Sequence, residues 1–154
     1  MAEPATRAPA QERAKPLVRA DFPYFLDITT RWMDNDAYGH VNNVVYYSYF
    51  DTAVNGWLME VTGSDIRQLP QIGLVVETGC RYLSPISFPD ELEVGIAMER
   101  IGNSSLVYKV AIFVRGAAEP AAFGRFVHVY VDAVTRQSVP VPAAIRSAVE
   151  SLQV

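Results

Sequence analysis

The sequence predicts an α+β domain in which a curved antiparallel sheet of about five strands wraps one long helix. Three observations carry that reading. Apolar residues recur at helical spacing over one long stretch, from about Val44 to Val61. From about Gly73 onward the pattern changes to period two in four successive stretches. No βαβ unit repeats, and the connections between these stretches are short, which favours antiparallel meander neighbours.

The elements follow in order. Residues 1 to about 20 are rich in Ala, Pro, Glu and Arg with little apolar periodicity, and are expected to form a disordered or loosely attached leader, leaving 21–154 as a single domain. A first strand is expected at about Tyr24 to Thr30. In the helix, Tyr46, Phe50, Ala53, Val54, Trp57, Leu58 and Val61 form an apolar stripe, while Ser48, Asp51, Thr52 and Asn55 lie opposite. Its aromatic and β-branched residues are mediocre helix formers, so burial against a sheet has to hold it. Gly63 ends it. Strands are then expected from about Gly73 to Leu83, through Leu92–Met98, through Leu106–Val114 and through Phe123–Val131. They are punctuated by Ser84-Pro85, Gly102-Asn103 and Gly116 to Pro120, and a short helix starts at Pro142.

Composition excludes several function classes. With 154 residues, half of them hydrophobic, the chain is long enough for one sizeable core. A net charge of −4 disfavours nucleic acid as a partner. One cysteine, Cys80, allows no internal disulfide, and two histidines give no zinc-ligand pattern. No apolar run reaches the ~18 residues of a membrane span and no signal peptide is evident, so a cytoplasmic protein that does not bind membranes is expected.

The chemistry concentrates between Arg31 and Asp51. Asp34, Asp36, His40, Asn42 and Asn43 fall within ten residues, where an extended segment turns at Gly39 and enters the helix. Asn42 is the expected N-cap of a helix beginning near Asn43 or Val44. The first N–H groups of such a helix lack partners and, with the helix dipole, favour negative charge, so a developing oxyanion would be stabilised there.

The run Asp34-Asn35-Asp36-Ala37-Tyr38-Gly39-His40-Val41-Asn42-Asn43, followed by Tyr46 and Tyr49-Phe50-Asp51, resembles the signature of the hot-dog-fold acyl-CoA thioesterases of the 4-hydroxybenzoyl-CoA thioesterase type. The resemblance continues through Tyr82-Leu83-Ser84-Pro85-Ile86, Asp90 to Val94 and Pro140-Val141-Pro142, and covers about residues 22 to 147. It implies a sheet wrapped around a long helix, dimers that often form tetramers, and hydrolysis of acyl-CoA, or of an acyl carrier protein thioester, without a cofactor.

By position, the resemblance makes Asp36 the catalytic carboxylate, nucleophile or general base. It makes Asn43 the residue whose backbone N–H polarises the thioester carbonyl. The other reading of Asp36 is a turn or cap residue before the helix. Asp34, two residues earlier, points to the opposite side of an extended segment and is expected to be structural. His40 is either a residue that orients substrate or water, or a turn histidine bonded to backbone. Tyr38, Asn42, Asp51 and Arg81 are the candidate substrate contacts, with packing, capping, a solvated helix face and a surface strand as their respective alternatives. Glu77 and His128 could line a cleft but also suit surface or sheet-pair positions. The phosphates of coenzyme A need cations, and Arg81, Arg100, Lys109, Arg115 and Arg125 are the ones available on strands. Two other functions stay open: a hot-dog hydratase or dehydratase, disfavoured by the four-residue spacing of Asp36 and His40, and a non-catalytic acyl-thioester binder.

Overall fold

Helix α1 spans Val45–Thr62 and carries five aromatic residues, Tyr46, Tyr47, Tyr49, Phe50 and Trp57, with no charge in its first turn. Propensity alone would not hold it. In the computed structural model, which describes residues 15–154, its Tyr46, Tyr49, Phe50, Ala53, Val54, Trp57 and Leu58 are buried. Val61, expected on the same stripe, is exposed, and Tyr49 takes a buried place instead. Gly63 ends the helix in the left-handed conformation with φ 60°.

The surface that buries this helix is one face of a five-stranded antiparallel sheet. Its strands are β1 (Tyr24–Thr29), β2 (Gln71–Tyr82), β3 (Glu91–Ile101), β4 (Ser105–Val114) and β5 (Ala122–Asp132). A short helix, α2 (Ala143–Glu150), closes the core with Ile145 and Val149. The strand order is β1-β3-β4-β5-β2. The curved sheet around a helix that the periodicities predict is therefore present. The meander holds for β3, β4 and β5, but β2 is not a neighbour of β3: it pairs with β5, from Gln71↔Asp132 to Tyr82↔Ala122. Eight residues join β2 to β3. Fully extended they reach ~26 Å, and crossing three strand spacings takes only ~14 Å. Ile86, buried within that connection, gives its carbonyl to the Val41 N–H at 2.7 Å, so the crossing passes over the loop before the helix.

Contact between helix and sheet is closest at Gly124. A Cβ there would lie 2.7 Å from the Phe50 ring and would collide with the Gly79 carbonyl of the neighbouring strand. Both obstacles sit in packed structure rather than at the flexible end of a side chain.

The opposite face of the sheet has its own apolar cluster. Phe22, Ala97, Ala111 and Phe113 are buried there, with Leu17, Phe25 and Phe123 against them. Arg19 lies across it, its guanidinium 4.7 Å from the Phe25 ring centroid and 5.1 Å from that of Phe113, and donates to Glu93 at 2.7 Å. This corrects the expected leader boundary at residue 20. Leu17 and Arg19 are engaged with the sheet because they supply apolar and cation–π contact to an otherwise bare cluster. The remainder of the expected leader, residues 1–14, lies outside the described residues.

Gly124→Ala is expected to cost ~2–3 kcal/mol of stability through forced displacement of Phe50 and β2. Urea denaturation of the variant against the parent chain measures it.

Candidate active site

The segment between β1 and α1 is folded around two carboxylates with opposite environments. Asp34 is 1% exposed. Its Oδ2 accepts from the Arg31 N–H at 2.8 Å and from the Tyr49 hydroxyl at 2.8 Å, and its Oδ1 accepts from Arg31 Nε at 3.0 Å. Burial pushes its pKa up, but these donors outweigh burial and hold the carboxyl below its ordinary value. Asp34 is thus the structural residue that its alternation with Asp36 implies. Through Tyr49 it ties the segment to the second turn of α1.

Asp36 opens a tight turn. Its Oδ1 accepts from the Tyr38 N–H at 2.8 Å and its carbonyl from the Gly39 N–H at 3.1 Å, while its own N–H donates to the His40 carbonyl at 2.8 Å. Asp at the first position of such a turn, with Gly39 at φ 82° at the fourth, is what turn chemistry demands. The turn role weighed for Asp36 is therefore real. It engages one carboxylate oxygen; for Oδ2 no hydrogen-bond partner occurs among the described residues. An isolated bridge pairs Asn35 with Val41, and the loop is clamped from outside by Phe88 N–H donating to Asn35 Oδ1 and Ser87 Oγ donating to the Gly39 carbonyl.

The loop returns to the helix start. Asn42 N–H donates to the Asp34 carbonyl at 2.9 Å, Val45 N–H to the Asn42 carbonyl at 2.9 Å, and Val44 N–H to Asn42 Oδ1 at 3.2 Å. Asn42 is accordingly not the N-cap. The helix begins at Val45, later than expected, and Val44 occupies the cap position without a side-chain bond. The Asn42 side chain instead closes a local turn two residues long. Asn43 is exposed, and its N–H has no acceptor among the described residues. Its carbonyl accepts from the Tyr82 hydroxyl at 2.8 Å, and the Tyr82 ring stands edge-on to Tyr46 at 4.9 Å. Tyr82, at the end of β2, thus fixes the peptide at the helix entrance. Sequence reasoning placed it only within the strand expected from about Gly73 to Leu83, although it lies inside the Tyr82-to-Ile86 stretch that carries the resemblance.

The remaining candidates separate. His40 is exposed, and its ring has no hydrogen bond to Asp36. Tyr38 is 88% exposed, so the packing alternative for it is overturned; Trp32 (81%), Met33, Val44 and Phe88 are exposed as well, and Trp32 and Phe88 meet edge-on at 5.9 Å. Asp51 is exposed and accepts from Asn55. Eight residues past Asn43 in helical geometry, it is ~12 Å along the axis from the loop. Arg81 lies outside the loop as well, on the sheet face away from the helix. There Lys15, Arg81, Lys109 and Arg125 border a cavity of about 530 Å³ floored by Leu17 and Phe123. Arg100 is not part of it, and Arg115 is engaged by Asp27 and Glu91. Glu77 is ion-paired with Arg125.

Two other groups bear on chemistry. Burial pushes the Cys80 thiol up to about 11, which removes it as a thiolate nucleophile at neutral pH. His128 is a sheet-pair residue, opposite Val75 and Leu106, but not a surface one: it is 2% exposed on the helix-facing side of β5, and burial drives its pKa down to about 4. Among the described residues no group of three or more His, Cys, Asp or Glu could hold a metal, and no helix is long and apolar enough to cross a membrane.

A curved antiparallel sheet around a helix whose entrance carries a clamped Asp-to-Asn loop defines a hot-dog-fold protein, and comparison with known proteins agrees. Residues 30–149 match the thioesterase-like superfamily, and the chain belongs to that family. Among solved structures it is similar to the PA5185 protein of Pseudomonas aeruginosa strain PAO1, with 48% identity, TM-score 0.86, and 90% of this chain and 96% of that one covered. It is also similar to the PA2801 protein of Pseudomonas aeruginosa, a putative thioesterase, at 31% identity, TM-score 0.77 and coverages of 83% and 98%. A third similar structure is a thioesterase of Thermus thermophilus complexed with coenzyme A and zinc, at 30% identity, TM-score 0.73 and coverages of 86% and 95%. The uncharacterized protein YsmA of Bacillus subtilis is 26% identical over 89 residues, a match that spans 57% of this chain and 59% of that protein. Fold and family together place this chain among the thioesterase-like proteins.

The buried ionisable groups give two expectations for stability. Asp34→Asn leaves donors of Arg31 facing an amide and is expected to cost ~2–3 kcal/mol, read by chemical denaturation at pH 7. His128 has the opposite sign of pH dependence to a paired histidine. Its folded pKa lies below its unfolded value, so unfolding takes up a proton between pH 6.5 and about 4. Its contribution is fully present above 6.5, falls by up to ~3 kcal/mol as pH drops through that window, and is level below it. Denaturation midpoints at pH 7 and 4.5 are expected to differ more in the parent chain than in His128→Leu.

Proposed function

We propose that the protein hydrolyses acyl-CoA thioesters, with Asp36 as catalytic carboxylate and the Asn43 N–H at the α1 entrance as oxyanion donor. The observation that carries this reading is the Asn43 peptide. Its carbonyl is held by Tyr82, and its N–H has no acceptor among the described residues at a helix N-terminus, one turn of loop from a carboxylate with an unengaged oxygen. A thioester carbonyl seated against that N–H is polarised by it and by the helix dipole. Asp36 then either takes a proton from water as the water oxygen bonds to the carbonyl carbon, or bonds to that carbon itself and is released by water in a second step. In both routes the C–S bond breaks, the thiolate leaves as a good leaving group, and the proton from water ends on the thiol. His40 and Tyr38 border this site and are proposed to contact substrate, and Asn42 supports the loop.

The working unit is proposed to be a homodimer paired along β2. This edge strand exposes Leu74, Val75 and Val76, and an unpaired apolar edge is a template for a second copy. Antiparallel pairing about a two-fold axis would set the Gln71 end of one β2 beside the Tyr82 end of the other. The Asp36 loop of each copy would then face the helix flank of its mate, where Asp51 and Asn55 lie. The phosphates of coenzyme A are proposed to bind at the cavity bordered by Arg81, Lys109 and Arg125, where three strand cations share one cavity.

Thiol release from a panel of acyl-CoA thioesters tests the reading. Asp36→Asn keeps an oxygen for the Tyr38 N–H, so the loop should survive while turnover falls ~100-fold or more. A folded variant with full activity would reject the assignment. Single turnover in ¹⁸O-water separates the two routes, since only the covalent one delivers label into Asp36. Arg81→Ala is expected to raise KM for acyl-CoA by ~3- to 10-fold while leaving acyl-pantetheine, which lacks the nucleotide phosphates, unaffected. Val76→Glu is expected to give a monomer in sedimentation, with hydrolysis lost in parallel.

A further inference from the structure

Asn43 joins two peptide units whose polar groups can be followed one by one. The Asn42 carbonyl accepts from the Val45 N–H at 2.9 Å, the Val44 N–H donates to Asn42 Oδ1 at 3.2 Å, and the Asn43 carbonyl accepts from the Tyr82 hydroxyl at 2.8 Å. The fourth group, the Asn43 N–H, has no acceptor among the described residues. Two of the three bonds join residues within three positions of each other, so they shape the turn but move with it. Tyr82 reaches the turn from the end of β2, 39 positions away. Of the three, it is the bond that sets the direction of the turn against the sheet.

The Asp36 half of the loop is held from the same side. The Ile86 carbonyl accepts from the Val41 N–H at 2.7 Å, Ser87 Oγ donates to the Gly39 carbonyl at 2.8 Å, and the Phe88 N–H donates to Asn35 Oδ1 at 3.0 Å. Residues 82–88 are one continuous stretch. A single segment therefore grips the Asp36 turn at one end and the Asn43 turn at the other, and the spacing of carboxylate and free N–H is fixed from outside the loop that carries both.

Tyr82 is built to aim rather than to stabilise. A carbonyl can only accept, so the phenol is the donor. Its ring stands edge-on to Tyr46 with centroids 4.9 Å apart, and Tyr46 is itself buried, so the hydroxyl is directed by a ring with a fixed neighbour. The bond lies at the surface, where a neutral hydrogen bond adds little to stability.

We propose that Tyr82 is a positioning residue, its hydroxyl holding the Asn43 carbonyl so that the adjoining Asn43 N–H points at the carbonyl oxygen of a bound thioester. The inference rests on the hydrolase reading. A donor of this kind acts through its direction: its bond strengthens as charge develops on the oxygen, so misaligning it lowers turnover more than binding.

Tyr82→Phe tests it, because the ring and its packing on Tyr46 stay while the hydroxyl goes. With hexanoyl-CoA and benzoyl-CoA on the intact chain, kcat is expected to fall ~10- to 100-fold and KM to stay within about threefold of the parent. The second readout is the infrared carbonyl stretch of the same two thioesters, ¹³C-labelled at the carbonyl and bound to Asp36→Asn, where cleavage is slowed. Hydrogen bonding to the Asn43 N–H should lower that frequency from its value in solution, and Tyr82→Phe in the same background should return it at least halfway. A merely structural hydroxyl would lower the denaturation midpoint, or prevent folding as read by circular dichroism, and leave kcat and frequency of folded protein unchanged; either result overturns the proposal. So does a rise in KM with kcat kept. A Tyr82-dependent frequency shift without any cleavage would sink the hydrolase reading alone, whereas cleavage at full kcat in Tyr82→Phe would sink this one alone. Neither cleavage nor a shifted carbonyl would overturn both.

Discussion

A helix with five aromatic residues in eighteen cannot stand in water, and this requirement shapes everything around it. To enclose Tyr46, Phe50, Val54 and Trp57 the sheet must bend, and to let Phe50 approach, the central strands must shed a side chain at Gly124. The same enclosure presents the N-terminal end of the helix at the rim of the sheet. Its first amides meet solvent there instead of core, so the character of that rim follows from how the hydrophobic end is buried.

The loop at that rim separates two jobs that a single carboxylate could not combine. Asp34 spends its lone pairs on Arg31 and Tyr49 and so becomes an internal strut. Asp36, two residues on, is fixed through one oxygen only. Rigidity comes from the buried acid, whereas the second oxygen of Asp36 has no hydrogen-bond partner among the described residues. Tyr82 and the clamp from Ser87 and Phe88 add supports from β2 and its crossing segment, so three distant parts of the chain hold ten residues in register.

How much of this could be read from the sequence depends on the range of the interaction. Period and punctuation placed α1, the five strands and α2, because burial of one face leaves a repeat in the chain itself. The segment containing Asp36 and Asn43 was visible for the same reason, being local. Strand order was not: a connection of eight residues permits either a hairpin-like return or a crossing, and the choice rests on distant contacts, the pairing of β2 with β5 and the bond from the Val41 N–H to the Ile86 carbonyl. The Tyr82–Asn43 bond spans 39 positions, and nothing in either residue announces the other. His128 was ambiguous because both faces of β5 carry apolar residues, Val127 and Val131 on one side and Phe126 and Tyr130 on the other. The engagement of Leu17 and Arg19 escaped a reading that weighed composition over single anchors.

The position of β2 also sets an order in time. Strands β3, β4 and β5 join through short turns and can zip together locally, but β2 must find β5 across a separation of 40 residues at its nearest pair, Tyr82↔Ala122, and 61 at its farthest, Gln71↔Asp132. Closing loops of that length is entropically costly and slow, so β2 is the strand expected to dock last. It is also the strand with the exposed apolar edge. Until it docks, that edge does not exist as a surface, and the nascent chain is spared a sticky border while it is still incompletely folded. Any contact made through that edge has to wait for completion of the monomer, a checkpoint written into topology rather than into any one side chain.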